Sequence, residues 1–140
     1  MKFLFSLIIF LSSFFAFTQT TTIAGTYILK LESSNAVIVD TLTLHADETF
    51  TFHEYDRHDG GIPPERDKYG KGKWKFENNI VYFYANESDI TKTHTLNFNN
   101  SEARFIIKSP RDKSNKVIPT SIQFYKSDIF WIVKRKLIKE

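Results

Sequence analysis

The chain contains no cysteine, and only five glycines and four prolines occur among its 140 residues. Without cysteine the protein has no disulfide scaffold, no thiolate metal site and no thiol nucleophile. The same absence excludes a lipid anchor carried on a cysteine. We therefore expect the fold to be held by a buried core and not by covalent cross-links.

The sequence also lacks an apolar run long enough to span a membrane comfortably. The longest largely apolar run, 3–15, follows a cation at Lys2, and the small residues Ala16 and Thr18 come after it. This layout is typical of a secretory signal peptide. We expect residues 1–18 to be removed and residues 19–140 to form one exported domain, either periplasmic or extracellular.

An excess of charge of one sign is missing as well. The formal net charge is +3, which favours solubility but is too small to indicate a nucleic-acid partner. Motifs for a serine nucleophile, a zinc-protease helix or a phosphate-binding glycine loop are also missing. We expect a non-catalytic protein without a cofactor.

Apolar and polar residues alternate with a period of two through most of the domain, whereas no long window has a helical period. Leu42 and Leu44 share a face with Phe50 and Phe52, which predicts a hairpin around a turn at 46–48. Nine strands follow from this alternation, at 23–31, 37–45, 49–55, 70–76, 80–85, 91–98, 103–108, 122–125 and 129–134. The pattern predicts an all-β antiparallel meander closed into a barrel, with a two-sheet β-sandwich as the alternative.

Two polar segments interrupt the alternation. The first, 56–69, contains paired glycines and paired prolines, and we predict a long loop of the kind that often carries function. The second lies at 109–119. Four lysines near the first segment are predicted to face outward from the barrel: Lys68, Lys71, Lys73 and Lys75.

Three short motifs suggest a family. Gly25-Thr26-Tyr27 opens the first strand, an Asp-centred hairpin occupies 42–50, and Gly72-Lys73-Trp74 follows. Together they resemble the small lipocalin-like proteins of bacteria. The resemblance implies an eight-stranded barrel with an inner cavity, and a late basic residue, Arg135 or Lys134, packed over the first aromatic.

Most aromatic residues of the domain are predicted to turn inward, including Phe98 and Phe130. They either fill a solid core or leave room for a small apolar or amphipathic ligand. The residues predicted to contact such a ligand are Tyr27, Trp74, Phe76, Tyr82, Tyr84, Phe105 and Phe124.

Two further possibilities concern partners. Tyr125 and Trp131 lie on the strand faces opposite Phe124 and Phe130, and they are predicted to form an exposed apolar patch. Together with the 56–69 segment, this patch favours a protein-interaction or inhibitor module. His53 and His58 would form a metal site with a carboxylate only if the 56–69 segment folds back. The first hypothesis is thus a ligand-binding module, and a partner protein is the alternative.

Overall fold

The computed structural model describes residues 23–140, and the predicted signal peptide lies outside the described residues. These residues form eight strands and two short 3-10 helices, Glu87–Asp89 and Phe130–Ile132. The strands are β1 Gly25–Glu32, β2 Ala36–Leu44, β3 Thr49–His58, β4 Glu65–Glu77, β5 Ile80–Tyr84, β6 Ser101–Ile106, β7 Ser121–Lys126 and β8 Lys136–Lys139.

Each strand pairs antiparallel with the next, and β8 returns to β1 to close a barrel. Closure rests on two residue pairs, Tyr27 with Lys139 and Ile28 with Ile138. The predicted closed meander is confirmed, and the β-sandwich alternative is wrong. Closure gives every strand of the meander a neighbour on both sides over at least part of its length. Within residues 23–140, no helix is long and apolar enough to cross a bilayer.

The hairpin between β2 and β3 shows how local chemistry sets the register. Leu42 pairs with Phe52 and Leu44 with Phe50, as the alternation predicts. The Asp47 carboxylate accepts hydrogen bonds from the amide of Thr49, at 3.0 Å, and from its hydroxyl, at 2.6 Å. Glu48 then adopts a φ of 67°, a conformation that glycine usually supplies in such turns.

The registers of β1 to β4 place inward side chains in four rows that cross the sheet, about 7 Å apart. Two apolar rows lie at the closed end of the barrel. The third and fourth rows lie toward the tips of the β1–β2 and β3–β4 hairpins. In strand order, the rows are Gly25, Leu44, Phe50, Gly72; Tyr27, Leu42, Phe52, Gly70; Leu29, Asp40, Glu54, Lys68; and Leu31, Ile38, Asp56, Arg66.

Aromatic rings fill the barrel at the level of the first two rows. Phe98 lies at their centre, with ring centres 5.0 Å from Phe52 and 5.3 Å from Phe50. It also contacts Phe83 and Phe124, at 6.0 and 6.3 Å. These edge and tilted arrangements are the favourable ones for buried rings. This part of the interior is therefore a packed core.

Gly70 is the position that admits the Phe98 ring. A Cβ atom there would lie only 2.6 Å from Phe98 Cε2, closer than carbon atoms approach one another without repulsion. Gly72 is equally constrained, because its Cβ would collide with the carbonyl oxygen of Tyr84 on β5.

The predicted loop at 56–69 is wrong. β3 continues to His58 and β4 begins at Glu65, so only 59–64 connects them. The charged residues of the β3–β4 hairpin can occupy paired strands because both faces of the hairpin are accessible to solvent near its tip.

Two predicted strands are also wrong. Residues 91–98 form no strand, because β6 pairs directly with β5 and leaves only an isolated bridge between Leu96 and Gly70. Residues 129–134 contain a 3-10 helix instead. The chain turns at Lys134, whose φ is 75°, and extended structure resumes two residues later as β8.

Candidate functional site

Two carboxylates occupy the third inward row, where the core alternation would place apolar residues. Asp40 is 0% exposed and Glu54 is 3% exposed. Arg135 Nη1 donates a hydrogen bond to Asp40 Oδ2 at 2.7 Å and another to Glu54 Oε2 at 2.6 Å. Lys68 Nζ donates to Glu54 Oε1 at 3.3 Å. Buried carboxylates need such partners, because removing a charge from water is costly.

Trp131 links this charged row to the core. The Arg135 guanidinium lies 4.6 Å from the centre of its ring and Lys68 Nζ lies 5.0 Å from it. The ring also lies 6.2 Å from that of Phe52, in the row below. The two cations are thus held by aromatic and carboxylate groups together, and the row separates the packed core from the hairpin tips.

Asp40 has an altered proton affinity. Burial raises the pKa of its carboxyl to about 6, an effect larger than the opposing attraction of Arg135. Its Oδ1 atom is buried and has no hydrogen-bond partner within residues 23–140. For Arg135, burial would lower the pKa, but the bonds to Glu54 and Asp40 raise it. The guanidinium therefore stays charged over the pH range in which Asp40 titrates.

Beyond the third row, strands β1 to β4 project past the closed part of the barrel. β8 pairs with β1 only at Tyr27 and Ile28, so the later part of β1 has β2 as its sole strand neighbour in the described sheet. We call this projecting part, residues 30–39 and 55–67, the flap. Its concave face carries the fourth row.

Two clefts lie on the flap. The larger, of about 290 Å³, is lined by Asp56, His58, Gly61, Pro63, Pro64 and Arg66. The smaller, of about 170 Å³, is lined by Leu31, Glu32, Ser33, Ala36 and Ile38. They are neighbours, because Ile38 pairs with Asp56 and Ala36 with His58 across β2 and β3.

The two clefts differ in chemistry. Leu31 is 46% exposed and gives the smaller cleft an apolar side chain in contact with water. In the larger cleft, His58 Nε2 lies 3.2 Å from Asp56 Oδ1. Arg66 has no ion pair in the part of the chain that the structure describes. The face therefore combines an aliphatic area with an unpaired guanidinium.

Four of the residues predicted to contact a ligand are buried in the core: Tyr27, Trp74, Phe105 and Phe124. The Tyr27 hydroxyl donates to the carbonyl oxygen of Ile23 at 2.5 Å, and the Trp74 indole donates to that of His45 at 3.0 Å. Phe76 is partly buried against the same core. A ligand-binding role for these residues stays a prediction.

The predicted inward orientation of Tyr82 and Tyr84 is wrong. Val81 and Phe83 are the buried residues of β5, so strand alternation turns both tyrosines outward. Phe130, also predicted to turn inward, is 85% exposed, because the 3-10 helix replaces the expected strand.

The structure does not bring His53 and His58 together. They lie on opposite faces of β3, about 16 Å apart along the strand. His53 Nε2 lies 2.7 Å from Asp67 Oδ1, and its ring stacks on Tyr69 at 4.5 Å. Nowhere in residues 23–140 are three or more His, Cys, Asp or Glu side chains grouped to hold a metal ion.

Two other predictions about the surface are corrected. Trp131 packs against the core and so does not form an exposed patch with Tyr125, whose hydroxyl donates to Glu102 Oε2 at 2.9 Å. Lys68 belongs to the inward third row and does not face outward. Of the two late basic residues, Arg135 is the one that turns inward, and it packs on Trp131. A partner protein at 56–69 stays a prediction.

The sequence contains a signal for the third row that lies outside its short motifs. Asp40 is in phase with Leu42 and Leu44, and Glu54 is in phase with Phe50 and Phe52. Acidic residues at core positions of two paired strands require a buried cation, and Arg135 supplies it from the other end of the chain.

Comparison of the chain with protein-family models, with curated proteins and with solved structures found no match. The candidate site is therefore defined by its own geometry.

Proposed function

We propose that the protein is an exported, non-catalytic binding protein of the lipocalin-like kind that takes up a small amphipathic anion on the concave face of the flap. The observation that carries the proposal is the fourth row. It places exposed Leu31 and partly buried Ile38 on one side and the unpaired Arg66 on the other, across two adjoining clefts. Asp56 lies between Ile38 and Arg66 in this row, and His58 is its ion-pair partner at 3.2 Å.

The charge of Arg66 argues for an anionic head group. A guanidinium presents several N–H donors in a plane and binds a carboxylate or a phosphate through two parallel hydrogen bonds. Lys68, one row below on the same strand, is engaged with Glu54 at 3.3 Å. Arg66 is thus the cation of the concave face that is left to bind a ligand.

The aliphatic residues argue for an apolar body. Leu31 and Ile38 pair across β1 and β2 and line the smaller cleft. Burying them under a hydrocarbon chain is favourable, at about 25 cal/mol for each Å² of apolar surface removed from water.

The cleft volumes limit the size of the ligand. Ligand pockets usually enclose about 300–1,000 Å³, and the clefts measure about 290 and 170 Å³. A single alkyl chain with one charged end suits this space better than a large polycyclic molecule. Phe98 and its neighbours occupy the barrel below, which argues for a site above the charged row.

Titration calorimetry with dodecanoate tests the proposal, with dodecanol and dodecyltrimethylammonium as probes that share its tail. We expect dodecanoate to bind with a stoichiometry of about one, and the cationic probe not to bind. Arg66→Gln should weaken dodecanoate binding about tenfold, because a charge-assisted hydrogen bond is lost.

Two variants serve as matched controls. Lys73→Gln removes a cation from the outer face of the same strand, and Ile138→Ser removes an exposed aliphatic residue from β8. Neither should change the affinity, whereas Ile38→Ser should weaken it. Equal binding of the three probes, or equal losses in Lys73→Gln and Arg66→Gln, contradicts the proposal.

A further inference from the structure

The β6–β7 connection, residues 107–120, forms a surface distinct from the flap, and we propose that it docks on an anionic lipid surface. It lies at the opposite end of the barrel. The amide of Lys139 donates to the carbonyl oxygen of Thr120 at 2.8 Å, and the amide of Glu140 donates to the carbonyl oxygen of Thr26 at 2.9 Å. These contacts place the connection beside the start of β1.

Exposed aliphatic side chains are concentrated in this connection. Val117 is 92% exposed, Ile107 is 47% exposed and Ile118 is 37% exposed. Solitary exposed apolar residues are common, but three within one connection favour an interaction site.

The same connection is rich in cations. Lys108, Arg111, Lys113 and Lys116 lie within the connection, and Asp112 is its single acidic residue. The Asp112 carboxylate accepts a hydrogen bond from the amide of Ser114 at 2.8 Å. It therefore serves to hold the loop, and the positive charge remains available to a partner.

The connection is ordered by its own polar contacts. Lys108 Nζ donates to the carbonyl oxygen of Ser114 at 2.6 Å, and the amide of Asp112 donates to the carbonyl oxygen of Ser109 at 3.0 Å. These bonds close the middle of the loop, while Val117 lies beyond them.

This pairing of aliphatic tips with cations fits a membrane interface. Anionic head groups attract lysine and arginine near the surface, and aliphatic side chains enter the boundary with the acyl chains. Single-stranded nucleic acid instead prefers aromatic residues on which bases stack, and residues 107–120 contain none. Charge complementarity and side-chain type together favour lipid.

Vesicle sedimentation tests the proposal with the exported protein. One set of vesicles contains phosphatidylglycerol and phosphatidylcholine, and the other contains phosphatidylcholine alone. We expect binding to the anionic vesicles that weakens as salt is added. Lys113→Glu with Lys116→Glu should reduce it at least tenfold, and Val117→Ser should reduce it several-fold.

Matched variants separate this surface from the rest of the protein. Lys73→Glu with Lys75→Glu makes the same change of charge on the outer face of β4, and Ile62→Ser removes an exposed aliphatic residue at the flap tip. Both should bind like the wild-type protein, and unchanged thermal melting should show that all variants fold. Equal binding to neutral vesicles, or equal losses in the control pairs, overturns the proposal. The proposal is also overturned if the protein binds single-stranded RNA through the same cations and does not bind the vesicles.

Discussion

Arg135 and Asp40 lie 95 residues apart in sequence and are joined by a 2.7 Å hydrogen bond inside the barrel. The bond connects the segment just before β8 with the middle of β2. With the second bond to Glu54 on β3, it ties the last part of the chain to the strands from which the flap projects. Arg135 thus stabilises both the closed barrel and the base of the proposed binding face.

Arg135→Met should destabilise the protein by about 3 kcal/mol at neutral pH, because it leaves two buried carboxylates without their cation. The loss should be smaller at pH 5, because burial raises the pKa of Asp40 to about 6 and its carboxyl is then mostly protonated. Urea unfolding followed by tryptophan fluorescence measures both values. Arg104→Met, at an exposed arginine that stacks on Tyr125, is the control and should cost far less. An equal loss at the two pH values would show that the charge of Asp40 is not the cause.

Asp40→Asn should alter how stability depends on pH. Burial raises the pKa of Asp40 from 3.8 to about 6 in the folded state, so the folded protein binds this proton more tightly than the unfolded chain. The stabilisation is complete below about pH 4 and is lost as the pH rises through about 6, with a size of about 3 kcal/mol. Wild-type stability relative to the Asn variant should therefore fall between pH 4 and pH 7. A relative stability that rises over this interval would refute the assignment.

Gly70→Ala should destabilise the barrel by about 1–3 kcal/mol, because its methyl group would overlap the Phe98 ring. Phe98→Leu alone should also be destabilising, since it removes a ring from the core. Combined, the two changes should cost less than the sum of their separate effects, as the smaller Leu side chain relieves the overlap. Strict additivity in a double-mutant cycle would show that Gly70 is not required by the ring.

The alternation of apolar and polar residues was sufficient to predict the closed barrel and the β2–β3 hairpin. Strand pairing depends on which face is buried, and that information is local: Leu42, Leu44, Phe50 and Phe52 carry it in eleven consecutive residues. The turn at Asp47 was predictable for the same reason.

The flap and the 91–98 segment could not be predicted in this way. The charged residues near His58 and Glu65 suggest a loop when read along the chain, yet they pair as strands because their neighbours are fixed by the rest of β3 and β4. Phe98 has the alternation of a strand, but its position is set by the space above Gly70. The site was missed because the cation that matches Asp40 is remote in sequence, and only the closed barrel brings it near.

The most direct test of the binding proposal is the position of bound dodecanoate, mapped by changes in backbone amide chemical shifts. A ligand on the concave face should shift the amides of Leu31, Ile38 and Arg66 and leave those of Phe83 and Phe124 in the core nearly unchanged. Shifts centred on the core residues, or no shifts at saturating probe, would contradict the account.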